Sequence, residues 1–230
     1  MESLQTAAFW LGLFKIVWIN IILSGDNAVV IALAARTLPA PQQKKAVFWG
    51  SGAAVVLRIA LTVVAARLLG LAYLQIVGGC LLLWIGLQLL RDEEAEGEDS
   101  AARSHSHLFG AIRTILIADL VMSLDNVIGV AAAAQGDLLL LALGLAVSIP
   151  LVIFGSSFMI RLMARFPMIV VLGAGLIGWV GGETIASDVA LHDFSASHPA
   201  LHYLAAALGA ALVVGVGRLW QGRTPPPAGT

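Results

Sequence analysis

Two short motifs carry the chemistry of this chain. Ser24-Gly25-Asp26-Asn27 lies inside one long apolar segment, and Ser123-Leu124-Asp125-Asn126 lies inside another, ninety-nine positions later. A carboxylate at bilayer depth costs several kcal/mol by most measures, roughly 2.5–3.5 on insertion scales, so ionisable residues there tend to be functional. The donors around both Asp residues are oxygens: carboxylates, Asn carbonyls and Ser hydroxyls. All-oxygen sets suit hard cations such as magnesium, calcium or manganese, and disfavour zinc or cuprous ions, which seek His and Cys. Two carboxylates also match the charge of one divalent ion. Without the ion, two like charges push one Asp toward protonation, which offers protons a role as coupling ion.

The rest of the chain supplies the setting. Its 230 residues are 59% hydrophobic and 12% charged. Soluble domains carry about 25% charged residues, so this is an integral membrane protein whose first partner is the lipid bilayer. The net charge of −1 argues against a nucleic-acid partner. One cysteine, Cys80, leaves no intramolecular disulfide and no thiolate cluster. The N-terminus lacks a basic stretch, so no cleavable signal peptide is expected. Seven apolar segments stand out, near 7–35, 45–66, 69–90, 109–134, 138–160, 167–187 and 200–219. Each is near or above the roughly 20 residues a spanning helix needs. The expected fold is therefore all-α: a single polytopic domain over 1–230 with seven transmembrane helices.

Basic residues sort by loop parity. Arg36, Lys44, Lys45, Arg91, Arg103, Arg113, Arg161, Arg165, Arg218 and Arg223 fall on one side, against Arg67 on the other. The positive-inside rule then puts the N-terminus outside and the C-terminus in the cytoplasm. Residues 92–108 become a cytoplasmic loop, rich in Asp and Glu and holding His105 and His107. It reads either as a solvated linker or as a weak metal-attracting loop. Residues 220–230 read as a disordered tail.

The two motifs belong to a longer repeat. Asn20–Asn27 aligns with Asp119–Asn126, with Ser, Asp and Asn identical. Beyond the shorter second loop the offset falls to about 94, which pairs Gly50 with Gly144, Arg67 with Arg161 and Gly79 with Gly173. Residues 7–91 thus read as one three-helix unit and 109–187 as its diverged copy, with 200–219 as an added seventh helix. A unit that crosses the membrane three times returns inverted, and inverted repeats are typical of secondary transporters with ion sites near the midplane. On a regular helix each Asp lies about 100° from the adjacent Asn. For both to face one ion the backbone must depart from regular α geometry, most readily at Gly25. Gly129 offers a weaker opportunity in the second copy.

Other polar residues within spans have two readings each. Asp119 is either a third carboxylate of the site or a vestibule residue. Arg58 either compensates an Asp and competes with the cation, or snorkels to the interface. Glu183 either lines an exit path or sits at the interface. Asp188, His192 and Asp193 read as loop residues. Competing function classes fare worse. An intramembrane protease would want a spanning His or a metal with His ligands, and no His lies centrally in a span. A retinal receptor would need a Lys in the seventh segment, which has none.

Asn20–Asn27, Asp119–Asn126, the seven-segment plan and the stretch Ile177-Gly178-Trp179-Val180-Gly181-Gly182-Glu183 resemble the TerC family of integral membrane proteins, over about residues 7–220. That resemblance implies metal-ion efflux, chiefly of manganese from the bacterial cytoplasm across the inner membrane. It also implies ion binding by Asp26, Asn27, Asp125 and Asn126. The residues themselves add Ser24, Ser123 and Asp119 as assisting donors. They imply a transported ion rather than a tightly bound cofactor or an enzymatic reaction. Calcium or magnesium as cargo, and a non-transporting component of a metal or tellurite resistance complex, are the alternatives. Oligomeric state is not readable from the sequence.

Overall fold

The computed structural model describes residues 7–23, 25–68, 71–91, 101–134, 137–198 and 200–221. They form helices throughout and no strand: α1 (Ala7–Leu23), α2 (Gly25–Ala35), α3 (Ala40–Leu68), α4 (Leu74–Arg91), α5 (Ala101–Ala134), α6 (Leu138–Arg165), α7 (Met168–Ala186), a 3-10 turn (Val189–Leu191), α8 (His192–Ser197) and α9 (Ala200–Gln221). Among the described residues, six stretches are long and apolar enough to cross a bilayer: Ala40–Thr62, Leu74–Arg91, His107–Leu124, Leu139–Arg165, Met168–Ala186 and Ala200–Leu219. The described part of the first apolar segment lies in the two shorter apolar helices α1 and α2. The chain is an all-α, polytopic membrane protein. Its outer surface fits that solvent: Phe14, Trp49, Phe154, Leu204 and Leu208 all turn large apolar side chains outward.

The interior is organised around α2. Every residue from Asn27 to Ala35 is buried. A helix apolar on all sides belongs at the centre of a bundle, and α2 packs on α3, α5, α6 and α7. Glycines let the flanking helices close on it. A methyl group at Gly173 of α7 would sit 2.8 Å from Val29 of α2, and one at Gly78 of α4 would sit 2.8 Å from Val121 of α5. Gly79 of α4 lies against the backbone of Gly181 in α7, and Gly182 of α7 against that of Ala205 in α9. Such small-residue approaches are how helices associate where lipid supplies no hydrophobic drive.

Packing between the two halves is reciprocal. The α3 helix crosses α5 where Gly50 meets Ile115, and α6 crosses α1 where Gly144 meets Ile16. These contacts exchange under the sequence offsets, since Gly50 and Gly144 are 94 apart and Ile16 and Ile115 are 99 apart. The α4 and α7 helices pack on each other.

Three boundaries differ from the hydropathy pattern. The segment 92–108 is not a loop throughout, because α5 begins at Ala101 and carries His105 and His107 on helical backbone. Residues 92–100, with most of the acidic run, lie outside the described residues, as do 222–230 of the C-terminal segment. Likewise α3 begins at Ala40 rather than near 45, and α9 continues to Gln221. Hydropathy marks only the apolar part of a helix, and these helices extend beyond it with polar turns.

Asp188, which reads as a plain loop residue, is fully buried and fastens two of these helices together. Its Oδ1 accepts hydrogen bonds from the backbone N–H of Tyr73 (2.9 Å) and Ala190 (2.8 Å). Its Oδ2 accepts from Gln75 (2.9 Å) and Ile76 (3.1 Å). It thereby caps the N-terminus of α4, whose first N–H groups have no partner within the helix. It also holds Tyr73 in the left-handed region at φ 70°. Burial raises the Asp188 carboxyl, but the four backbone N–H groups outweigh it and leave the group below its ordinary value of 3.8. A carboxyl lowered on folding stabilises the fold fully above its unfolded value, and that contribution is lost as pH falls through the folded value. Thermal unfolding of detergent-purified protein should therefore weaken as pH drops below about 4, with Asp188→Asn less stable at neutral pH and flatter across that acid range. Equal pH profiles for the two proteins would dismiss the capping role.

Candidate functional site

Where α2, α3, α5 and α6 meet, the helices enclose a cavity of about 20 Å3, lined by polar groups of Asn27, Ser51, Arg58, Asp119 and Ser148 and closed by Ile31, Ala54, Val55 and Val152. A water molecule needs about 10–15 Å3 of such space, so the cavity admits one water-sized object and not a hydrated ion.

Arg58 and Asp119 dominate it. Both are buried, at 5% and 7% exposure. The Arg58 guanidinium donates from Nη2 to Asp119 Oδ1 at 2.5 Å and from Nε to Ser123 Oγ at 2.9 Å. Ser123 in turn donates from Oγ to Asp119 Oδ2 at 3.2 Å. Asp119 and Ser123 lie four residues apart, on one face of α5, so a single guanidinium reaches both. Neither snorkelling for Arg58 nor an open vestibule position for Asp119 describes this pair.

Asp26 sits in the first turn of α2, where the helix N-terminus favours a negative charge. The Asn27 N–H donates to its Oδ1 at 2.8 Å. The carboxylate is half-buried and close enough to feel the charges of both Arg58 and Asp119. Asn27 is buried and lines the cavity. Of the residues singled out by sequence, then, Asp26, Asn27, Asp119 and Ser123 gather at one place. Asn126 is half-buried in α5 and is absent from the cavity wall. Asp125 lies on α5, but its side chain, like all of Ser24, lies outside the described residues. The second motif lies within α5, which runs through Ser123–Asn126, and Gly25, Asp26 and Asn27 of the first lie in α2. Among the described residues no group of three or more His, Cys, Asp or Glu could hold a metal. A cation site here must draw on Asn and Ser oxygens beside the carboxylates.

Ser51 and Ser148 join the site without a signal that sequence reading could use, since lone Ser residues are common in spanning helices. Ser51 is buried, and its Oγ has no hydrogen-bond partner among the described residues. Ser148 donates to the Leu145 carbonyl at 2.6 Å. Glu183 is elsewhere. It is exposed and lines an open cavity of about 580 Å3 with Trp179, His192, Ser195, His202 and Tyr203, at the end of the bundle where α7, α8 and α9 meet.

The chain matches the model of the integral membrane protein TerC family over residues 5–224. It belongs to that family. It is 42% identical over 206 residues to the uncharacterized membrane protein YjbE of Bacillus subtilis strain 168, covering 90% of this chain and 93% of that one. It is 25% identical over 233 residues to the UPF0053 inner membrane protein YoaE of Escherichia coli K12, covering 94% of this chain but only 44% of YoaE. Similarity to the UPF0053 inner membrane protein YgdQ of Escherichia coli K12 is 24% over 199 residues, or 80% and 83% of the two chains. No solved structure matches.

The pair makes an asymmetric demand on the TerC fold. A carboxyl can be neutralised by a proton, but a guanidinium cannot. Replacing one partner of a buried pair typically costs about 3–5 kcal/mol because a charge is stranded. Asp119→Leu should therefore destabilise the detergent-purified protein by about that amount, and Arg58→Met by distinctly less. The double variant should recover part of the Asp119→Leu loss. Equal and additive losses in a thermal-unfolding double-mutant cycle would show that the two residues are not coupled.

Proposed function

We propose that this protein exports a divalent metal cation, most directly manganese, from the cytoplasm by alternating access. One observation carries the reading: a buried ion pair drawn from two helices, with Asn27, Ser51 and Ser148 beside it, lines a space the size of one dehydrated ion. Asp26 and Asn27 on α2 and Asp119 and Ser123 on α5 supply oxygen donors from one side each. Asp125, Asn126 and Ser24 complete the donor set proposed from the motifs. Hard divalent ions are bound by such oxygens, and the small cavity disfavours magnesium, which gives up its waters reluctantly.

The reciprocal contacts of Gly50 with Ile115 and Gly144 with Ile16 support two inverted repeats, 7–91 and 109–187, rocking about this site. The basic loops support an N-terminus outside and a C-terminus in the cytoplasm, within the bacterial inner membrane. Protons are the proposed counter-ions. Manganese as the cargo is proposed on the resemblance to the family and not from the spacing of the donors.

Cells expressing Asp26→Ala or Asp125→Ala should accumulate manganese above cells expressing the parent, approaching cells without the protein. The comparison uses metal content per cell with membrane levels matched by blotting. Variants that reach the membrane and still lower internal manganese as the parent does would dismiss the shared-site reading.

A further inference from the structure

Arg58 stands where a cation would bind, and the repeat explains why this is informative. At the offset of 94 that pairs Gly50 with Gly144, Arg58 corresponds to Val152, which lines the same cavity from α6. At the offset of 99, Asp119 corresponds to Asn20. The two halves therefore depart from one another at a base in the first and an acid in the second. Those two departures meet in one ion pair. An Arg brought in only to fill space would not need a matching acid, and an acid brought in only to bind metal would not need an Arg.

Two further features suggest that this contact is exchangeable. Arg58 engages the carboxylate and hydroxyl, Asp119 and Ser123, that a hard cation would take. Ser51 offers an alternative acceptor. It lies seven residues before Arg58, on the same face of α3, with its hydroxyl buried, without a partner among the described residues, and on the same cavity. A long, flexible Arg side chain can therefore release Asp119 without leaving the polar pocket.

We propose that Arg58 is a tethered counter-cation: its guanidinium holds Asp119 and Ser123 when cargo is absent and yields them when a divalent ion enters. This rests on the transport reading above. It assigns Arg58 a specific part in the cycle, as the group that compensates Asp119 while the empty carrier reorients. Without it, the metal is the only cation available to that carboxylate, so the loaded carrier still turns over but the empty one stalls. Like-charge repulsion at a few ångströms in a weakly screened site is ample to change metal affinity by tenfold.

The experiment uses full-length protein purified into liposomes, with radioactive manganese followed in two modes: net flux down a gradient, and manganese-for-manganese exchange. Arg58→Gln keeps polar contacts but removes the charge. It should bind manganese about tenfold more tightly, lose about tenfold or more in net flux, and retain exchange within about threefold of the parent. Arg58→Lys keeps a cation with fewer donors and should recover much of the net flux. Net flux and exchange falling together in Arg58→Gln would overturn the proposal, as would both remaining at parental levels. Should Arg58→Gln fail to fold, Arg58→Lys decides alone, because an equal effect on both modes contradicts a role confined to the empty carrier. A parent that carries manganese in neither mode would remove the transport reading itself, a result separable from any change in the ratio of the two modes.

Discussion

The arrangement of this protein depends on one interaction, the buried ion pair between Arg58 and Asp119. In a low-dielectric interior neither charge is tolerable alone, and the pair is tolerable only when its remaining polar valences are met. Ser123 meets one of them, bonding to both partners. That requirement fixes α3 against α5 and makes their glycine contact at Gly50 and Ile115 consequential for chemistry as well as packing. It also explains why α2 must be central: its apolar length, through Ile31, closes the site on one side while Asn27 lines it.

Reciprocity between the halves, and its interruption, divide structure from function. Where the halves agree they build the frame: Gly50 with Ile115, Gly144 with Ile16, and α4 with α7. Where they disagree they build the site. Arg58 stands where the other half has Val152, and Asp119 where it has Asn20. A site assembled from such differences is asymmetric. Its two faces need not hold an ion, or the Arg that stands in for it, in the same way. Asp188 belongs to the frame, since it joins the start of α4 to the end of α7.

Much of this was legible in the residues alone. Apolar length marks the spans, and Ser-x-Asp-Asn marks the two places where polarity within a span demands a reason. The partner of Arg58 was not legible, because helical periodicity says which residues share a face but not which face meets which neighbour across sixty-one positions. Ser51 and Ser148 were hidden for a different reason: a hydroxyl is small enough to sit anywhere in a spanning helix, and only the cavity distinguishes these two. Asp188 was hidden because a carboxylate after a helix reads as solvated unless one knows which unpaired N–H groups it meets. Polar helix ends, such as the first turns of α5 through His107, fall outside what hydropathy can mark.

The most direct test of the account is an experimental structure with manganese bound, in which anomalous scattering identifies the ion. The account predicts one peak in the cavity between α2 and α5, within coordinating distance of Asn27 and Asp119, with the Arg58 guanidinium withdrawn from Asp119. A peak elsewhere in the molecule, or a manganese ion bound there while the Arg58–Asp119 pair stays closed, would contradict it.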